Sequence, residues 1–381
     1  MKDIAAIRVI HYETGKPVLI EIDHGLISGV TEMTFSPESR NLFAAPGLID
    51  NQVNGYTGVD FSDPGLTPER MKTAVDAIRK DGVTTFMPTV ITNSHENLLR
   101  NFRNLAAAIK NETVRESVMG FHLEGPYISP VEGFYGCHPA QFIRNPSWKE
   151  FAEYQEAADG KIVQVTLAPE TEGAMEFIAE CRKNNIIVSL GHTNASAEQI
   201  NMAASLGARL STHLGNGCAN LIDRHRNPLW PQLANEQLTP TIIADGHHLL
   251  PEEIKVFYKV KGPAGLILTS DVNHLKGMPP GKYIYFGSEV VYTDDGLVKN
   301  PVLNCLAGAS MPLRKGVETV MEYTGCSLKE AINMATRNVS EIYGLNDRGV
   351  IETGKRADLV LFELQGGKIL IKQVLLNGIN V

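Results

Sequence analysis

Residues 186–216 read IIVSLGHTNASAEQINMAASLGARLSTHLGN. An apolar run, Ile186–Leu190, ends at Gly191-His192. A polar, helix-starting segment follows over Asn194–Leu206, and a second short run, Ala208–Thr212, ends at His213. This is strand, helix, strand, with a histidine at the carboxyl end of each strand. Parallel strands need such a crossover, and in parallel α/β proteins chemistry gathers at strand carboxyl ends. Imidazole is the commonest metal ligand. The stretch therefore predicts a parallel α/β fold with two ligand-type side chains at one mouth.

Working outward, the same alternation repeats. Strands are expected at Pro46–Gly55, Val83–Thr89, Ser117–Leu123, Lys161–Thr166, Thr241–Ala244 and Leu266–Thr269. Helices are expected at Pro68–Lys80, capped by Thr67, and at Glu96–Lys110, Gly173–Asn184 and Pro251–Val260. With the opening pair, that makes eight buried-type strands, the pattern of a (β/α)8 barrel. The stretch after strand three is read as a long loop holding Gly136-Cys137-His138-Pro139. Beyond strand eight come a hairpin over Lys282–Tyr292 and helices at Gly316–Tyr323, Ser327–Ala335 and Val339–Tyr343. Strand-like pieces at Ile4–His11 and Val18–Ile22, a turn at Gly25–Gly29, and strands at Ala357–Glu363 and Ile369–Leu376 mark the two ends. Neither end buries a core alone, so the two are expected to join in a small β-sandwich domain. The expected division is 1–45 and 345–381 for that domain and 46–344 for the barrel.

The bulk numbers fit an enzyme of this size. The chain has 381 residues and a net charge of −8, with no basic stripe, which argues against nucleic acid. No long apolar run or signal-peptide pattern is present, so a membrane is not expected and a cytoplasmic location is. The five cysteines (Cys137, Cys181, Cys218, Cys305, Cys326) form no CxxC pair, which indicates neither a disulfide framework nor a cysteine zinc site.

The polar strand ends carry the chemistry. Glu124, His192 and His213 offer one carboxylate and two imidazoles, a set that leaves a metal position open for water and would bring that water's pKa to about 7. Asp271, past strand eight, is the remaining carboxylate and suits a general base that later protonates a leaving amine. His122, two residues before Glu124, is expected to pack under the site. His247 is expected to be structural, His274 to line the entrance, and His95 and His24 to be surface residues.

The motifs Pro-Gly-Leu-Ile-Asp50, His-Leu-Glu124-Gly-Pro, Gly-His192-Thr-Asn-Ala, Thr-His213-Leu, Ile-Ile-Ala-Asp245-Gly-x-His248 and Ser-Asp271 stand in that order. The series resembles that of the N-acetylglucosamine-6-phosphate deacetylases, a family of the amidohydrolase superfamily of metal-dependent barrel hydrolases. Gly349-Val-Ile-x-x-Gly354-Lys-x-Ala357-Asp358 resembles the superfamily's closing β-domain. The resemblance implies Glu124, His192 and His213 as metal ligands, Asp271 as catalytic acid/base and His138 as the histidine that stabilises the oxyanion. It implies substrate contacts from Cys137, His138, Asn216, Gly217, Asp245, His248, Ala307, Gly308 and Ala309. Many superfamily members hold a second metal with His-x-His after strand one. Here those positions are Gln52 and Asn54, whose amides are poor ligands beside imidazole, so one divalent ion per subunit is expected, most simply zinc.

There is a departure after strand six. The family reads His-x-x-Asn-Ala-Met, followed by an arginine that reaches the phosphate from a neighbouring subunit. Here the text is His213-Leu-Gly-Asn216-Gly217-Cys218, then Arg224 and Arg226, either of which can take the arginine's role. The resemblance thus implies a homodimer acting on a small amino sugar. Two other readings are an amidohydrolase for a different N-acyl amino sugar or N-acyl amino acid, and a non-enzymatic sugar-binding barrel. Cyclic amidases of the superfamily use a carboxylated lysine on strand four, whereas Lys161–Thr166 has lysine only at its start.

Overall fold

The computed structural model describes residues 6–34, 41–285 and 287–381. Eight parallel strands pair in sequence order. They are β1 (Leu48–Val53), β2 (Val83–Ile91), β3 (Phe121–Glu124), β4 (Ile162–Leu167), β5 (Ile187–Leu190), β6 (Ala208–Ser211), β7 (Thr239–Ile242) and β8 (Ile267–Leu268). The ring closes just past β1 and β8. Asp271 N donates to Gln52 O (3.1 Å) and Asn54 N to Val272 O (2.8 Å). The expected barrel is present, and its strands are buried along almost their whole length, as a parallel sheet covered on both faces requires.

The helices follow local capping chemistry. Thr67 Oγ1 accepts from Arg70 N (3.3 Å) at the head of Pro68–Lys80. The helix between β5 and β6 is Ala197–Leu206, shorter than the expected span from Asn194. Its start is set by Ser196, which forms a capping box with Gln199. Two helices longer than a single turn were not expected from the sequence, Trp148–Ala157 between β3 and β4 and Leu229–Ala234 between β6 and β7. The first is capped by Ser147 and buries Phe151 and Tyr154.

The chain ends meet in one seven-stranded sheet. Its order is Ile379–Asn380, Lys368–Leu376, Leu359–Gln365, Leu42–Pro46, Ala6–His11, Pro17–Asp23, Leu26–Glu32. The join is antiparallel, with Leu361 opposite Ala44. Ile4 and Ala5 of the expected first strand lie outside the described residues. The turn expected at Gly25–Gly29 is tighter. His24 and Gly25 make it with φ of 47° and 78°, and Leu26 already opens the next strand. Tyr12 ties this sheet to the barrel helices, its hydroxyl donating to Asn333 Oδ1 (2.8 Å).

The expected hairpin after β8 is Gly281–Tyr285 against Ser288–Tyr292, and Phe286 lies outside the described residues. It continues through Val298–Asn300 and Cys305–Leu306 into a four-stranded antiparallel sheet. This insert places Leu297, Lys299, Cys305 and Leu306 on the wall of the barrel's cavity.

Candidate active site

A cavity of about 700 Å³ opens at the carboxyl end of the barrel. Glu124, the last residue of β3, stands at its floor with His192 and His213, which lie two residues past the β5 and β6 ends. Glu124 Oε1 is 3.0 Å from His213 Nε2 and 3.4 Å from His192 Nε2. All three side chains are buried. A tetrahedral site with bonds of about 2.0–2.1 Å spaces its donor atoms about 3.3 Å apart, so this trio fits one divalent cation. His192 Nδ1 lies 3.1 Å from the Phe134 carbonyl. That oxygen accepts from Nδ1–H, so Nε2 is the nitrogen turned toward Glu124 and available to an ion.

Burial alone would raise the Glu124 pKa, but the hydrogen bonds from His192 and His213 hold it well below the usual carboxylate range. Burial would lower His213, and the Glu124 hydrogen bond and charge outweigh it and raise it. The carboxylate thus demands a positive charge between itself and the imidazoles. A proton supplies it, and so does a metal ion, whose binding would release that proton.

Asp271 faces the trio. Its Oδ1 accepts from Gln52 Nε2 (2.9 Å) and Asn54 Nδ2 (2.7 Å), and Gln52 Nε2 also donates to Glu124 Oε1 (2.9 Å). Burial, then the Glu124 charge, push the Asp271 pKa up to about 6. His192, His213 and Asp271 all have positive φ, 50°, 30° and 51°. Non-glycine residues adopt that region at a cost of roughly 1–3 kcal/mol each, and they cluster at functional sites.

His138 lies edge-on to His192, ring centroids 4.4 Å apart, with Nδ1 2.8 Å from Thr92 Oγ1. Burial, then the His192 charge, lower its pKa to about 3, so it is a neutral imidazole with a fixed orientation. Thr92 is a positioning residue that the sequence did not single out. Its only signal was its place just past β2, where a side chain reaches the mouth. His122 is fully buried under the site as expected, between Thr166 Oγ1 (2.7 Å) and Thr89 Oγ1 (3.2 Å).

The remaining expected contacts divide. Asn216, Cys137, His248 and Gly308 line the cavity with Asn54, Tyr285 and Lys299. Asp245 stands behind the wall. Its Oδ2 receives His248 Nδ1 (2.8 Å), and its Oδ1 receives the backbone N–H of His247 and His248. Burial opposes its charge, but the His248 hydrogen bond draws its pKa down to about 2. Gly217 packs against the His192 backbone, where an added Cβ would come within 2.7 Å of His192 N. Ala307 and Ala309 are buried behind Gly308, and Ala309 N donates to Asp271 O (3.0 Å), so they hold the Asp271 turn. Arg224 and Arg226 are exposed and stand outside the cavity of their own chain. Asp223 Oδ1 accepts backbone N–H groups at 225 and 226, which turns that loop outward.

His247 Nε2 lies 3.0 Å from the Asp295 carbonyl of the insert, a structural role as expected. His274 sits behind the wall, its ring 4.9 Å from that of Tyr285, which lines the cavity in its place. His24 is solvated as expected, with 93% of its side chain exposed. His95 is less free than expected, since Nδ1 meets Tyr154 Oη at 2.9 Å.

Comparison with known proteins decides the family. The model of the amidohydrolase family matches residues 43–380. The chain belongs to the amidohydrolase family. Among its relatives, the N-acetylglucosamine-6-phosphate deacetylase of Bacillus subtilis (strain 168) is 32% identical over 372 residues, 95% of this chain and 92% of that one. The N-acetylgalactosamine-6-phosphate deacetylase of Shewanella sp. (strain ANA-3) is 31% identical over 352 residues, 90% of this chain and 86% of that one. A Mycobacterium smegmatis N-acetyl-D-glucosamine-6-phosphate deacetylase was solved as an aspartate-to-alanine variant in complex with N-acetyl-D-glucosamine-6-phosphate. It superposes with a TM-score of 0.88 at 25% identity, covering 99% of both chains. The superposition agrees with the barrel and the small sheet domain.

Proposed function

We propose that this amidohydrolase removes the acetyl group of N-acetylglucosamine 6-phosphate, giving glucosamine 6-phosphate and acetate, with one zinc ion per subunit. The observation that carries the reading is the buried Glu124–His192–His213 trio facing Asp271 across a cavity wide enough for a sugar phosphate. It is supported by deacetylase relatives that match almost the whole chain. An ion held by the trio supplies Lewis acidity and a water of lowered pKa. Asp271, held by Gln52 and Asn54, takes the water's proton and returns it to the leaving amine. His138, fixed through Thr92, donates Nε2–H to the developing oxyanion of the acetyl carbonyl. Asn216 and His248 receive the far end of the sugar.

A dianionic phosphate calls for charge-assisted partners. Among the described residues lining the cavity, Lys299 is the lone lysine or arginine. Arg224 and Arg226 are therefore assigned to a neighbouring subunit's cavity, which makes the working unit a homodimer. No helix among the described residues is long and apolar enough to cross a membrane, and we assign the enzyme to the cytoplasm.

The test is acetate release from N-acetylglucosamine 6-phosphate, its galacto epimer and unphosphorylated N-acetylglucosamine, measured side by side. Preference for the first is expected. Equal rates on phosphorylated and plain sugars would remove the phosphate from the reading.

A further inference from the structure

Two thiols at the mouth take no part in the proton transfer described above, and of the two only Cys137 stands among the expected sugar contacts. Cys137 precedes His138 on the loop after β3, and Cys305 opens the last strand of the insert. Far apart in the chain, they meet in space. Both line the cavity. Both pack in one small apolar cluster with Leu275, Tyr285 and Val290, and their side chains are in hydrogen-bonding contact. Cys137 Sγ is also 3.4 Å from the Leu306 carbonyl. Of the other cysteines, Cys181 is buried in a helix and Cys326 lies away from the cavity, while Cys218 lines it without a thiol partner.

We propose that Cys137 and Cys305 are a redox-responsive pair, which a low-molecular-weight disulfide oxidises to a bridge clamping the insert sheet onto the loop that carries His138. Cys305 is the attacking sulfur, since it is the more exposed of the two. The Cys137 hydrogen bond also draws its pKa down, while Cys137, by the same bond and then by burial, is pushed up. The Cys305 thiolate attacks one sulfur of the small disulfide, breaks its S–S bond and releases one small thiolate. The Cys137 thiolate then attacks the Cys305 sulfur of the mixed disulfide, forms the protein bridge and releases the second small thiolate. The two protein protons end on the two released thiols. The protein loses two electrons and the small disulfide gains them.

The bridge acts on the site through geometry. Cys137 is covalently next to His138, and Cys305 is next to Leu306 and the Ala307–Ala309 segment that holds the Asp271 turn. Joining the sulfurs fixes both walls of the mouth and removes the donor to Leu306 O. Only the activity readout rests on the deacetylase reading.

The test treats the metal-loaded full chain with oxidised glutathione. Mass spectrometry is expected to find a peptide linking Cys137 to Cys305, lighter by two hydrogens than its reduced parts. Most of the acetate release should be lost, and dithiothreitol should restore both. Cys305→Ala, or Cys305→Ser if the alanine variant does not fold, should stay active under the oxidant, and Cys218→Ala should stay sensitive. The proposal is overturned by the absence of the linked peptide, by glutathione remaining as an adduct on Cys305, or by equal inactivation of the Cys305 variants. A chain that releases no acetate before oxidation would defeat the deacetylase reading, and the linked peptide, read by mass alone, would still decide the thiol bridge.

Discussion

The mouth of the barrel has two unlike halves. On one side, β3, β5 and β6 deliver a carboxylate and two imidazole nitrogens whose lone pairs converge. On the other, β1 and β8 deliver two amide NH₂ groups and a carboxylate, and every close contact there is a donated hydrogen bond. Lone pairs that converge want a cation, whereas N–H groups that converge want an anion. On the proposed reading, this difference lets the pocket work with one ion. Gln52 and Asn54 hold Asp271 in place through neutral N–H donors rather than a charge.

The comparison breaks most completely on the ligand side. His213→Ala removes one of three donors and leaves Glu124 buried without its 3.0 Å partner. Bound zinc should fall from about one ion per chain to a small fraction, measured by elemental analysis after gel filtration, and turnover should vanish with it. Full metal content in that variant would place the ion elsewhere. Next comes the other half. Asp271→Asn keeps the shape but removes the base, and kcat should drop by ~10²–10⁴-fold with metal content unchanged. Loss of metal together with rate would mean that Asp271 is a ligand.

The comparison sharpens at the loop that carries Arg224 and Arg226. Arg224→Ala should raise KM for the phosphorylated sugar by roughly ten- to a hundredfold, the effect of losing one charged hydrogen-bond partner of ~1.5–3 kcal/mol. The plain sugar should be almost unaffected. The same result in Arg226→Ala would move the contact two residues along the loop. The smallest effect is expected from Thr92→Val, which frees His138 Nδ1. One neutral hydrogen bond is worth about 0.5–1.5 kcal/mol, so kcat should fall at most about tenfold, with KM unchanged. A change confined to KM would make Thr92 part of the binding wall instead.

Much of this site was legible in the sequence because apolar strands are easy to see and the first polar residue past each one faces the mouth. Glu124, His192 and His213 were singled out that way and Asp271 one residue further on, and the structure brings all four to one cavity. The supporting contacts were hidden for physical reasons. The Phe134 carbonyl that orients His192 is a backbone group and leaves no trace in residue type. Thr92 reads as one more β-branched strand residue. Gln52 and Asn54 were legible as missing ligands, but not as donors to Asp271, because that contact spans 219 positions for Gln52. The Trp148–Ala157 helix did carry a signal, Ser147 three residues before Glu150 with aromatic residues at 148, 151 and 154, set within a charged stretch that resembled a loop. The insert's third and fourth strands are three and two residues long, too short for alternation to register. The outward turn of Arg224 and Arg226 depends on backbone bonds to Asp223 that composition cannot express.

The seam between β1 and β8 also sets when the enzyme comes into being. Three of the four residues at the centre of the chemistry lie before position 214, so a growing chain acquires its metal-binding trio while the last quarter of the barrel is still unmade. Asp271 finds Gln52 and Asn54 only when the two most distant strands of the ring touch, and such long-range closure is the slow part of folding. On the proposed reading, a barrel without that joint lacks the group that carries the proton. Turnover is switched on by the last joint of the ring, and activity itself reports that the whole barrel has closed.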